Sequence, residues 1–221
     1  MQSIYETYLK IIKNTCSSSA LPVCVSPEDK ADIARLAEEH CTVPFVLPYC
    51  RHTSIYPVML QRTKSMMLNY YQIEQFTRRT LSLLLEHNIS CILLKGISLA
   101  NYYPVPEYRK LGDLDLYLPE PGDLAKAKKL LEENGYRLSD HHITYRYTFP
   151  ATGRSFTLEL HYRVVGIYQY ARANQIVDQV FSAENLQPDT DIINGQPYPV
   201  LPPTQYVFYM IHHMLKHYLY S

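Results

Sequence analysis

The chain has 221 residues, of which 47% are hydrophobic, enough for one domain, or one domain with a helical appendage, around a sizeable core. Its 21 basic side chains balance 21 acidic ones, which argues against a protein that binds long nucleic acid through bulk charge. The five cysteines form no Cys-x-x-Cys pair, and the sequence has neither a signal peptide nor an apolar run of membrane-spanning length, which predicts a cytoplasmic protein with reduced thiols.

The first ninety residues are predicted to be mostly helical. Apolar residues at helical spacing indicate one helix over residues 3–16, and Ser26 is the predicted N-cap of a second over residues 26–41. The proline-marked residues 43–57 are predicted to be a connector. Residues 58–87 then carry the pattern of one long helix.

After residue 88 the pattern changes to short apolar strands that alternate with helices. The predicted strands are residues 89–96, 113–119, 143–150 and 154–164, followed by a hairpin over residues 191–202. The predicted helices are residues 97–104, 121–136, 169–185 and 202–221.

These patterns divide the chain into an N-terminal helical region, residues 1–57, and a larger domain, residues 58–221. The last predicted helix has no stop signal before the sequence ends, and we expect the natural protein to continue beyond it.

Two aspartates, Asp113 and Asp115, stand in a predicted strand where a core would favour apolar residues. Residues two apart in a strand point to the same side, so the two carboxylates share one face, as Glu159 and His161 do in a later strand. If these strands are neighbours in one sheet, three carboxylates converge, and such like charges destabilise a fold. Binding of Mg²⁺ or Mn²⁺ resolves the conflict, and a pair of ions about 4 Å apart is a device for phosphoryl or nucleotidyl transfer. The simpler alternative for the aspartates is a capped start of the strand after a glycine.

A candidate phosphate-binding turn precedes the aspartates. Gly96 stands between a predicted strand and a predicted helix, where the backbone can approach an anion closely. Lys95 and Ser98 can add a charge and a hydroxyl, and Arg109 lies in the loop before the aspartates, in reach of a phosphate. Lys95 fits equally well as a residue that ends a strand.

Histidines are concentrated in the last predicted helix, where His213 and His217 share one face and His212 is beside them. Such a pair can bind zinc, but the sequence offers no third ligand, so we expect a structural role or a contribution to an acceptor pocket. His161 is compatible with a structural or a catalytic role.

The segments LLKGISLANYYP, YRKLGDLDLYLP, LEENGY and FTLELHYR, in this order, resemble the nucleotidyltransferase family of the polymerase β superfamily, in its branch with Lys-Gly in the first motif. The resemblance extends over roughly residues 60–217 and implies an α+β fold, a mixed β-sheet core flanked by helices. It also implies that three acids bind two Mg²⁺ (or Mn²⁺) ions and a nucleoside triphosphate.

Carried over residue by residue, the resemblance makes Asp113, Asp115 and Glu159 the catalytic metal ligands. It makes Lys95, Gly96 and Ser98 the phosphate-binding motif, where most active members of the superfamily have Gly-Ser or Gly-Gly instead of Lys-Gly.

The expected activity is therefore metal-dependent transfer of a nucleoside monophosphate from a nucleoside triphosphate, such as ATP, to a small-molecule or protein acceptor, with release of pyrophosphate. The balanced charge predicts no long nucleic acid among the partners, and no membrane partner is expected. Two alternatives stay open: an Asp-x-Asp glycosyltransferase that uses a sugar nucleotide, and a catalytically inactive nucleotide-binding scaffold of the same fold.

Overall fold

The structure is a computed structural model that describes residues 4–17, 22–139 and 143–220, without the side chains of residues 216, 217, 219 and 220. Within these ranges the chain forms eight α-helices, two short 3₁₀ helices and one seven-stranded mixed sheet. The predicted α+β class, with a helical region at the N-terminus, is confirmed.

Two compact units make up the chain. The first comprises Met1–Glu74 and Leu99–Leu111, and the second comprises Gln75–Ser98 and Gly112–Ser221. The predicted boundary at residue 57 stays a prediction.

The first unit is helical. It contains α1 (Ile4–Thr15), α2 (Lys30–Glu39), α3 (Val43–Val46), most of α4 (Tyr56–Glu86), and the 3₁₀ helices Leu47–Cys50 and Pro106–Tyr108. Apolar side chains of the first three helices, among them Ile11, Ile33 and Val46, pack into one buried cluster. The Tyr8 and Thr42 hydroxyls, 2.8 Å apart, add a hydrogen bond at its edge.

Two predictions about this unit are wrong in detail. Residues 43–57 are not a plain connector, because Val43 to Cys50 form α3 and a 3₁₀ helix, each with a proline in its first turn, where the missing N–H costs nothing. Ser26 is not the N-cap of α2, which begins at Lys30. Its hydroxyl instead accepts the N–H of Asp29 at 3.1 Å in the turn before the helix.

The second unit contains the sheet. Its strands are β1 (Ile92–Leu93), β2 (Leu114–Tyr117), β3 (Arg137–Leu138), β4 (Thr144–Thr148), β5 (Ser155–His161), β6 (Asp189–Ile193) and β7 (Gln196–Val200). They are ordered β3-β4-β5-β2-β1-β7-β6, so that β5, β2 and β1 lie in the middle. The β2–β5 and β1–β7 pairs are parallel, and the other neighbours are antiparallel.

Helices cover both faces of this sheet. The unit contributes α6 (Asp123–Glu133), α7 (Ala171–Val180), α8 (Pro203–Tyr220) and the end of α4, and α5 (Ile97–Ala100) begins at its border. On one face, Phe76 of α4 stacks on Phe156 of β5, with ring centroids 5.5 Å apart. On the other, Val177 of α7 and Tyr209 of α8 belong to one buried cluster with Tyr117 of β2.

Most predicted elements of this unit are present. The β4–β5 and β6–β7 hairpins are confirmed, the latter turning at Asn194 and Gly195, both with positive φ. The strand predicted over residues 89–96 is shorter, because only Ile92 and Leu93 pair in the sheet, and β3 was not predicted. Among the described residues, no helix is long and apolar enough to cross a membrane.

Candidate active site

The candidate site lies where β2 and β5 run side by side in the middle of the sheet. Asp115 and Glu159 are register partners in this parallel pair, and Tyr117 is the partner of His161. Leu114 and Leu158, also partners, point to the opposite face and are buried. The alternation inferred from the sequence therefore does bring two acids of separate strands onto one face.

Asp113 and Lys95 complete the charged cluster. Asp113 immediately precedes β2, two residues before Asp115, and its side chain is 37% exposed. Lys95 follows β1, the other neighbour of β2. Its Nζ atom lies 2.9 Å from Oδ2 of Asp115 and 3.5 Å from Oδ1 of Asp113. The sequence did not predict that this lysine contacts both aspartates.

Asp115 is the buried centre of the cluster, with only 1% of the residue exposed. Its Oδ1 lies 3.0 Å from Nε2 of His161, and that nitrogen lies 3.5 Å from Oε2 of Glu159. Its buried Oδ2 accepts no well-directed hydrogen bond from any described residue. The contact of this oxygen with Lys95 is therefore an ion pair rather than a hydrogen bond.

Asp115 and Lys95 each stabilise the charged form of the other. Burial by itself raises the pKa of Asp115, but the hydrogen bond from His161 and the ammonium of Lys95 outweigh it and hold that pKa below its usual range. Burial likewise acts to lower the pKa of Lys95, while Asp115, then Asp113 and Glu159, bring it above its ordinary value. Both groups are therefore charged at neutral pH.

The predicted phosphate-binding turn begins at Lys95. Gly96 has φ +75°, the left-handed conformation that glycine adopts most easily, and leads into α5. Ser98 is buried, and its hydroxyl donates to the Lys95 carbonyl at 3.4 Å. The Ser98 hydroxyl thus stabilises the turn. The phosphate-binding role of Lys95, Gly96 and Ser98 stays a prediction.

Comparison with known proteins places the chain in a family. Residues 26–221 match the family described as uncharacterised nucleotidyltransferase. The chain belongs to this nucleotidyltransferase family. Comparison with curated protein sequences gave no significant match.

One solved structure to which the chain is similar is an antigenic nucleotidyltransferase-like protein from Paracoccidioides brasiliensis. The two are 16% identical, with a TM-score of 0.38, over 64% of this chain and 60% of the other. The match thus spans less than two thirds of that protein's length.

The donor set fits a divalent cation of the kind that nucleotidyltransferases use. Asp115, Glu159 and His161 each offer one ligand atom, and the three atoms lie within 4.8 Å of one another. The other carboxylate oxygen of Asp115, Oδ2, lies 2.9 Å from Nζ of Lys95 instead. Two carboxylates and an imidazole suit Mn²⁺ as well as Mg²⁺. His161, whose role the sequence left open, is therefore a candidate metal ligand.

Arg109 belongs to the first unit, whereas the acids belong to the second. It follows the 3₁₀ helix Pro106–Tyr108, and its guanidinium donates to the Lys110 carbonyl at 3.4 Å. Its predicted contact with a phosphate stays a prediction.

The histidines of α8 have aromatic neighbours. His212 forms a hydrogen bond with the Tyr168 hydroxyl, and its ring lies 4.4 Å from that of Phe208. The His213 ring lies 5.7 Å from that of Tyr209. The contacts of His212 are consistent with the structural role expected for the histidines of this helix. The side chain of His217 lies outside the described part of the chain.

Tyr209 of α8 is a residue near the site that sequence reasoning missed. It is 4% exposed, and its pKa is raised by burial and further by the carboxylates of Asp115, Asp113 and Glu159. Tyr209 belongs to the buried cluster that contains Tyr117, the β2 residue on the same face as Asp115. No sequence pattern distinguishes Tyr209 among 21 tyrosines spread along the chain.

Proposed function

We propose that this protein transfers a nucleoside monophosphate from a nucleoside triphosphate to a small-molecule or protein acceptor and releases pyrophosphate. The observation that carries the proposal is the pairing of Asp115 with Glu159 on adjacent central strands, next to Asp113, in a chain of the nucleotidyltransferase family. A divalent ion bound there would polarise the α-phosphate and offset the charge that develops in the transition state.

The residues of the chain have distinct proposed roles. Asp115, Glu159 and His161 would hold the ion, with Asp113 at the exposed edge of the same cluster. Lys95 and the amides around Gly96 face the negative charge of the triphosphate, with Arg109 as a further candidate for it. The resemblance implied two ions, but within the described residues one group of three donors has the geometry to hold a metal.

The proposed reaction is a single displacement at the α-phosphorus. The acceptor oxygen forms a bond to this phosphorus while the bond to the β-phosphate oxygen breaks, and pyrophosphate leaves. Glu159, whose side chain is 36% exposed, is the proposed acceptor of the proton from the acceptor hydroxyl. The balanced net charge of the chain favours a small molecule or a protein side chain as the acceptor over long nucleic acid.

Binding of the nucleotide is the first test. Each of the four ribonucleoside triphosphates is titrated calorimetrically, with and without Mg²⁺ or Mn²⁺, into wild type and an Asp113→Asn/Asp115→Asn variant. We expect metal-dependent binding in wild type that is lost in the variant. The matched control is Asp189→Asn/Asp191→Asn, which removes the same Asp-x-Asp spacing from the edge strand β6 and should bind as wild type does.

Turnover is the second test. Release of pyrophosphate and transfer of label from an α-³²P nucleotide, to the protein itself or to a panel of hydroxyl compounds, would support the proposal. Sugar-nucleotide turnover without nucleoside triphosphate turnover would favour a glycosyltransferase instead. Metal-dependent binding without turnover of either substrate would favour an inactive nucleotide-binding scaffold. Equal binding by wild type and the aspartate variant would contradict the proposed site.

A further inference from the structure

The two oxygens of Asp115 face different partners. Oδ1 lies 3.0 Å from Nε2 of His161, on the side of Glu159. Oδ2 lies 2.9 Å from Nζ of Lys95, on the side of Asp113. A single buried carboxylate therefore joins two half-sites.

The half-site at Oδ1 can hold a divalent ion. Its three donors lie within 4.8 Å of one another, and they come from two adjacent central strands. One donor is an imidazole nitrogen, which hard ions such as Mg²⁺ use less readily than Mn²⁺ does.

The half-site at Oδ2 already contains a cation. The Lys95 ammonium bridges Asp115 and Asp113 and is only 17% exposed. A second metal ion shared by the two aspartates would need the same carboxylate oxygens at about 2.0–2.2 Å. With an ammonium at 2.9 Å from one of them, the ion and the lysine compete for one position.

The charges of the cluster agree with this arrangement. Asp113, Asp115 and Glu159 carry three negative charges when ionised, and Lys95 with one divalent ion supplies three positive ones. The backbone holds Lys95 in place, because Lys95 lies two residues after the end of β1 and the residue between them, Leu94, donates its N–H to the Asp115 carbonyl at 3.1 Å.

We propose that the Lys95 ammonium takes the place of a second metal ion, so that the site binds one divalent ion, on Asp115, Glu159 and His161, and uses the lysine as its other positive charge. The inference rests on the proposed function, since it concerns how the same site would neutralise a bound triphosphate.

The test counts manganese ions by electron paramagnetic resonance, which requires no turnover. Mn²⁺ is titrated into wild type, and the spectrum is repeated with an α,β-methylene nucleoside triphosphate, which cannot be cleaved at the α-phosphorus. We expect one tightly bound ion per chain, coupled to a histidine nitrogen in the pulsed spectrum. Two ions about 4 Å apart would be coupled to each other, and such coupling in wild type would overturn the inference.

Three variants assign the positions. Lys95→Met removes the ammonium and should raise the number of bound Mn²⁺ ions from one to two, whereas Lys95→Arg keeps the charge and should bind one. His161→Gln should lose the nitrogen coupling and weaken Mn²⁺ binding on the order of tenfold or more. A Lys95→Met protein that still binds one ion at saturating manganese would overturn the role of Lys95.

The outcomes separate the inference from the proposed function. Two coupled ions in wild type, together with metal-dependent nucleotide binding, would leave the proposed function standing and remove the lysine from the second position. Failure of wild type to bind Mn²⁺ or any nucleotide would contradict both. If Lys95→Met does not fold, the count and the coupling in wild type still decide between one ion and two.

Discussion

Replacing Asp115 with asparagine should destabilise the metal-free protein, although it removes one of three clustered carboxylates. Asp115 forms an ion pair with Lys95 at 2.9 Å and a hydrogen bond with His161 at 3.0 Å, and a hydrogen bond to a charged group contributes about 1.5–3 kcal/mol. Asparagine keeps one carbonyl oxygen for His161 but leaves the ammonium without its nearest counter-charge. Relief of carboxylate repulsion offsets part of this loss, and we expect a net cost of about 1–2 kcal/mol.

Thermal unfolding with EDTA present measures this cost. The chain has 21 tyrosines and no tryptophan, so near-ultraviolet circular dichroism and calorimetry are suitable readouts. For a chain of this size the expected cost lowers Tm by about 2–8 °C. Asp189→Asn/Asp191→Asn on the edge strand, where neither side chain is buried, should cost less than Asp115→Asn. An Asp115→Asn protein as stable as wild type, or more stable, would show that repulsion dominates and that the Lys95 ion pair does not hold the cluster together.

Three further outcomes are expected. Leu116→Ala, at a fully buried position in β2, should lower the free energy of unfolding by about 3–5 kcal/mol in urea titrations, whereas Leu116→Met should cost less than about 1.5 kcal/mol. Gly96→Ala should cost about 1–2 kcal/mol in the same titrations, because φ is +75° at this residue, a conformation that alanine disfavours. A steric clash does not add to this cost, since the new Cβ would lie 3.5 Å from the Asp113 carbonyl oxygen. The pKa of Asp115 is lowered on folding, so its ionised form stabilises the folded protein above the unfolded pKa near 4, and this stabilisation is lost as pH falls through the folded pKa. Tm measured from pH 7 to 2 should therefore fall in wild type and fall less in Asp115→Asn.

Much of the site could be predicted because two strands obey a simple alternation. Residues two apart share a face, so the Asp-Leu-Asp and Leu-Glu-Leu-His segments each show which side chains point together. The sequence could not show that the strands are parallel neighbours, nor which of the registers that keep these faces together pairs Asp115 with Glu159.

The ion pair of Lys95 could not be predicted in the same way. It depends on β1 lying antiparallel to β2, with Leu93 opposite Leu116, which brings the end of β1 beside the start of β2. A two-residue strand carries too little pattern to reveal its partner or its direction. Tyr209 was missed for a related reason: helical periodicity indicates that α8 has a buried side, but not which part of a sheet that side covers.

The central place of β5, β2 and β1 in the sheet has a consequence for dynamics. Backbone amides in inner strands exchange with solvent mainly when a whole cooperative unit opens, whereas amides at sheet edges exchange through local fraying. The backbone that carries the acids should therefore be among the slowest-exchanging parts of the second unit, and β6 and β3 among the fastest. A metal ion bound in this site would therefore be held by side chains on a backbone that opens rarely, and the side chains rather than the strands would adjust to its radius.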